Sequence, residues 1–97
     1  MIDILFHVST PGAARILLPL AQACARARVG FACFFTHDGV RVLEDAALRA
    51  ALRAAGRAVA CGESWKRFGG AEACPVELGS QTDDSALMGE AARVVSL

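Results

Sequence analysis

The chain has no surplus of charge of either sign. Ten basic and ten acidic residues cancel and are spread without runs, so the basic stripe that neutralises phosphates is missing, and nucleic acid and anionic membrane surfaces are disfavoured as partners. Long apolar runs are missing too: none approaches the roughly 20 residues of a spanning helix. The opening Met1-Ile-Asp-Ile-Leu-Phe-His7 has an acid and no basic cluster ahead of its apolar stretch, unlike a secretory leader. A cytoplasmic, unprocessed protein is expected. The cysteines, Cys24, Cys33, Cys61 and Cys74, form no C-x-x-C pair and no closely spaced Cys/His set, which weighs against zinc. With no sign of secretion, a disulfide scaffold is not expected either. No metal or other cofactor is expected. Repeats, linkers and low-complexity segments are also lacking, and 97 residues are too few for two cores. Residues 1–97 therefore read as a single domain.

What the chain does have is apolar side chains. They make up 55% of the residues, above the usual share of about 45–50%, and part of this surplus suits a surface covered by another subunit. Two stretches, Ile2 to Val8 and Phe31 to Phe35, are almost continuously apolar, the pattern of strands buried on both faces of a parallel sheet. Between them Thr10 and Pro11 open a helix whose inward stripe is expected at Ala13, Ile16, Leu17, Leu20, Cys24 and Ala27, with a kink at Pro19. Thr36-His37-Asp38-Gly39 is turn chemistry. A second helix is expected to turn Leu43, Ala47, Leu48, Ala51, Leu52 and Ala55 inward, to carry an Asp45–Arg49 pair at i,i+4, and to end at Gly56. Ala58 to Cys61 reads as a third strand, Glu63 to Phe68 as a short helix with Trp65 and Phe68 inward, Val76 to Leu78 as a fourth strand, and Val94 to Leu97 as a fifth. Thr82 or Asp83 opens the helix between the last two. The alternation predicts an α/β fold: a three-layer sandwich around a five-stranded parallel sheet with right-handed crossovers.

In such sheets reactive groups gather beyond the carboxyl ends of the strands. Those exits offer Ser9 and Thr10, then His37 and Asp38, then Cys61 and Gly62, then Gly79, Ser80 and Gln81. Cys61 is the one cysteine at an exit, and a helix start immediately after it favours the thiolate. Gly62 permits close approach, and His37, Ser80 and Gln81 are candidate neighbours, His37 as a catalytic partner and Ser80 and Gln81 as substrate contacts. Cys24 and Cys33 read as core, and His7 as a satisfied core or rim histidine. Cys74 belongs at the opposite sheet edge, which leaves Cys61 without a resolving thiol and favours one sulfur loaded and then handed on. Two other readings stand beside this one. Cys61 to Arg67 has C-x5-R spacing, as in the phosphate loop of cysteine-dependent phosphatases, a match that is cheap in a chain with this many cysteines and arginines. Alternatively Cys61 is a packed apolar residue of a non-catalytic or small-ligand-binding subunit.

Taken together, the Ala-rich first helix after an apolar strand, Phe34-Phe35-Thr36-His37-Asp38-Gly39-Val40, Ala58-Val59-Ala60-Cys61 before a short basic helix, and the ending Ala91-Ala92-Arg93-Val94-Val95 resemble the DsrE/DsrF/TusD sulfur-relay family. That resemblance implies a small α/β protein that carries sulfane sulfur as a persulfide on Cys61. It also implies sulfur-donor and sulfur-acceptor proteins as partners, and a homo- or hetero-oligomer.

Overall fold

In the computed structural model, which describes residues 2–97, five strands form one all-parallel sheet: β1 (Ile4–Val8), β2 (Phe31–Phe35), β3 (Arg57–Cys61), β4 (Glu77–Gly79) and β5 (Arg93–Ser96). Their spatial order is β4-β3-β2-β1-β5. Four α-helices cover it: α1 (Ala14–Ala27), α2 (Ala46–Ala51), α3 (Gly62–Phe68) and α4 (Gln81–Glu90). The expected three-layer α/β architecture is present, and its layers follow from the strand order. From β1 to β4 the chain steps one way across the sheet, and only the β4-to-β5 connection runs back. Right-handed crossovers in opposite directions place their helices on opposite faces.

The core divides accordingly. Phe6, Val8, Phe31, Cys33, Phe35 and Ala60 point to one face, where they pack with Leu17, Ala21, Cys24 and Leu48 and with the half-buried Trp65 and Phe68. Leu5, Ala32, Phe34, Val59 and Cys61 point to the other, where Leu87 of α4 seals them. Every residue of β2 is buried, because this central strand is covered on both sides.

Several local expectations are corrected. In α1 the buried positions are Leu17, Ala21 and Cys24, whereas Ile16 and Leu20 stay 50% and 38% exposed and Ala27 is exposed. The helix is preceded by a 3-10 turn, Pro11–Ala13, in which Ala13 is buried as expected. The residues assigned to one second helix form three short pieces: a 3-10 helix His37–Glu44, then α2, then a 3-10 turn Leu52–Ala54. Asp45 causes the break. Its carboxylate accepts from Ala47 N and Leu48 N at 2.9 and 3.1 Å, capping α2 instead of pairing with Arg49. Arg49 donates to the Leu43 and Glu44 carbonyls. The cap of α4 is Ser80 rather than Thr82 or Asp83, in a reciprocal box with the Asp83 carboxylate. β4 lies one residue later than expected and leaves Leu78 54% exposed, as an edge strand permits. Among the described residues no helix is long and apolar enough to cross a membrane.

Candidate functional site at the end of strand β3

The strand order singles out one crevice. The chain leaves β3 toward one face of the sheet, into α3, and leaves the adjacent β4 toward the other face, into α4. Such a switch point opens a cleft at the carboxyl edge. Cys61 ends β3 there, in register with Gly79 of β4. Gly79 is required by the packing: a Cβ on it would come within 2.6 Å of both the Asp83 carboxylate and Val59 Cγ1. Without a side chain at 79, α4 starts close against β3, and Gln81 is carried to the sulfur.

Cys61 is the N-cap of α3, with extended φ −61° and ψ 122°. The first-turn amides of a helix have no partner within it. Glu63 and Ser64, at N2 and N3 of α3, are the groups of that turn that act on the thiol, although the Cys61 side chain makes no regular cap hydrogen bond. The thiol is only 7% exposed, and burial by itself raises its pKa; the Ser64 hydroxyl and backbone N–H, the Gln81 carboxamide and the Glu63 N–H outweigh that and hold it below the ordinary thiol value. Burial pushes the thiols of Cys33, Cys24 and Cys74 upward. Of the four thiols, Cys61 is the one held below the ordinary value.

A polar network fixes these donors. Ser64 Oγ accepts the His37 N–H at 2.8 Å and lies 3.5 Å from Thr36 Oγ1. Gln81 Nε2 donates to Thr36 Oγ1 at 3.4 Å, and Thr36 Oγ1 shares a 3.2 Å hydrogen bond with His37 Nδ1. Holding the His37 N–H against Ser64 requires φ +53° at His37, a left-handed conformation that histidine adopts more readily than most residues. The turn also depends on Gly39, where a Cβ would come within 2.5 Å of the Val8 carbonyl oxygen.

β2 neighbours β3, so His37 and Cys61 leave adjacent strands. The His37 ring nevertheless bonds to Thr36, and its link to the thiol runs through its own backbone N–H and Ser64. Gln81 faces the sulfur. Ser80 is occupied as a cap, its Oγ accepting from Thr82 N at 3.2 Å. At Gly62 a Cβ would meet only the Gly79 carbonyl oxygen, at an ordinary 3.6 Å, so close approach does not demand glycine there. Sequence reasoning overlooked Ser64 and Thr36. The signal for Ser64 was its place three residues beyond an N-cap; Thr36 had none before the sheet order was known. Arg67 of the C-x5-R spacing lies over the Phe68 ring, 5.1 Å from its centroid, and is not among the groups acting on the thiol. No family model matches the chain, and no curated protein is significantly similar to it.

A second buried polar pair holds α4 down. His7 Nε2 lies 3.0 Å from Asp84 Oδ2, and the His7 ring stacks on Phe34. The other Asp84 oxygen is buried without a partner among the described residues. Asp84 sits one turn after Gln81, so the pair seats the helix that brings Gln81 to Cys61. Among the described residues no group of three metal-ligating side chains comes together.

Proposed function

We propose that the protein is a sulfur carrier that holds sulfane sulfur as a persulfide on Cys61 and passes it to a partner. The observation that carries this reading is a buried thiol whose pKa is nonetheless lowered, at the switch point of the sheet, by donors from both flanking helices. In loading, the Cys61 thiolate attacks the outer sulfur of a donor persulfide R–S–SH. A new S–S bond forms, the donor's S–S bond breaks, its electron pair leaves on R–S⁻, and Cys61 becomes Cys61–S–SH. Ser64, Gln81 and the first-turn amides of α3 stabilise the charge on sulfur before attack and again when the persulfide is discharged. The resemblance to the DsrE/DsrF/TusD family supports the same reading, and sulfur-donor and sulfur-acceptor proteins are its partners. An oligomer belongs to it as well, supported by the exposed apolar side chains Ile16, Leu20, Leu78, Met88 and Val94.

The test is intact-mass and peptide mass spectrometry after the reduced protein meets a sulfane-sulfur donor, with Cys61→Ser alongside. The expected result is added sulfur confined to Cys61, released by dithiothreitol and absent from the variant. The burial of Cys61 favours a second reading, a subunit in which the thiol is merely packed. No added sulfur together with slow alkylation of Cys61 in the folded protein would establish that reading and remove the first.

A further inference from the structure

A shallow groove of about 290 Å³ is lined by His37, Glu63, Ser64, Lys66, Arg67 and Phe68; Cys61 is not in its wall and is linked to it through Ser64. Ser64 belongs both to this groove and to the group of donors around the sulfur. Arg41 and Arg67 flank the Phe68 ring, 5.7 and 5.1 Å from its centroid. Glu63 and Arg67 stand at i,i+4, a spacing that favours a surface ion pair. Yet among the described residues the ion pairs are His7 with Asp84 and Arg57 with Glu77 and Asp83. The Glu63 carboxylate and the Lys66 and Arg67 cations thus line one groove without neutralising each other. The acid lies in the turn of α3 next to Cys61, and the cations lie one turn further on, beside an aromatic ring.

A purely anionic ligand would be repelled by Glu63, and a neutral thiol would gain nothing from any of the three charges. A molecule bearing an ammonium, a carboxylate and a thiol matches them all. We infer that this groove binds a low-molecular-weight zwitterionic thiol of the amino-acid or peptide class, which accepts sulfur from Cys61 in addition to the acceptor protein; this deepens the carrier reading above and rests on it. The carboxylate meets Lys66 and Arg67, the ammonium meets Glu63, and the thiol is directed past Ser64. In the transfer the ligand thiolate R–S⁻ attacks the outer sulfur of Cys61–S–SH. The bond between the two persulfide sulfurs breaks, its electron pair returns to Cys61 as the thiolate, and R–S–SH departs with the proton on its terminal sulfur. No external oxidant or reductant is consumed.

The experiment follows discharge of Cys61-loaded protein in single turnovers with glutathione and with 2-mercaptoethanol. With glutathione the rate should saturate. The double variant Lys66→Ala/Arg67→Ala should raise the half-saturating concentration about tenfold, the effect of two exposed charged contacts, with the limiting rate unchanged, and Glu63→Gln should raise it as well. With 2-mercaptoethanol the rate should stay linear in concentration and be the same for the native protein and the Lys66→Ala/Arg67→Ala variant. A linear dependence on glutathione, or variants that slow both thiols equally, would overturn the inference. S-Methylglutathione, whose sulfur is blocked, is the second probe, added to the Cys61→Ser protein and followed by amide NMR shifts. Shifts at the groove that vanish in the double variant support the site even if Cys61 never loads. Their absence overturns the site even if it does.

Discussion

Replacing Ser64 by alanine tests the site at its centre. Ser64 is buried, accepts the His37 N–H at 2.8 Å and acts on the Cys61 sulfur through its hydroxyl. Ser64→Ala removes one hydrogen bond to the thiolate, on the order of 1 kcal/mol, and should cut the rate of alkylation near neutral pH about fivefold. It also orphans the His37 N–H. An unsatisfied buried donor costs about 1–3 kcal/mol, and because the His37 side is open to water the loss of stability should be about 1 kcal/mol. The pH dependence has a definite sign. Burial raises the Cys61 thiol but the surrounding donors lower it further, so its contribution to stability is present above the free-thiol value of about 8.5 and fades as pH falls through the depressed folded value. The stability gap between native protein and variant should therefore be widest in mildly alkaline solution and narrow in acid. The assay is iodoacetamide modification of Cys61, read by peptide mass spectrometry across a pH series, with urea unfolding at both ends of the series. A variant whose alkylation profile superimposes on that of the native protein would refute the claim that Ser64 activates the thiol.

Three further outcomes follow from the packing. Leu87 is fully buried and is the residue of α4 that seals the second face of the sheet; Leu87→Ala should cost about 2–3 kcal/mol in chemical denaturation and speed alkylation of Cys61 by loosening its cover. Asp45→Ala removes the two-bond cap of α2 and should cost about 1 kcal/mol without altering Cys61 alkylation, a separation visible by running both assays on the same sample. Burial raises the Cys33 thiol, with Cys24 adding to the shift. Its contribution is complete below the free-thiol value of about 8.5 and is lost as pH rises toward the folded value. Urea midpoints should accordingly fall in alkaline solution, and fall less in Cys33→Ala.

The sequence by itself determined the sheet and the place of Cys61 at its carboxyl edge. Apolar runs at Ile2 to Val8 and Phe31 to Phe35 leave a two-sided buried strand as their natural fate, and the alternation with helical segments makes the sheet parallel. Position at a strand exit was enough to separate Cys61 from Cys24 and Cys33. Where local signals competed, the sequence was read wrongly. The buried stripe of α1 runs through Leu17, Ala21 and Cys24, with Ile16 and Leu20 outside it. Asp45 serves equally as an i,i+4 partner or as a cap, and only the folded chain puts its carboxylate on the Ala47 and Leu48 amides. Tertiary structure alone joined the groups that act on the thiol, Ser64 and Gln81, to one another through Thr36. Thr36, Ser64 and Gln81 come from the ends of three different elements, and no spacing along the chain brings them together. They meet because β2, β3 and β4 are neighbours, and because the reversal of direction after β4 sends α4 to the opposite face, setting Gln81 across the sulfur from the first turn of α3.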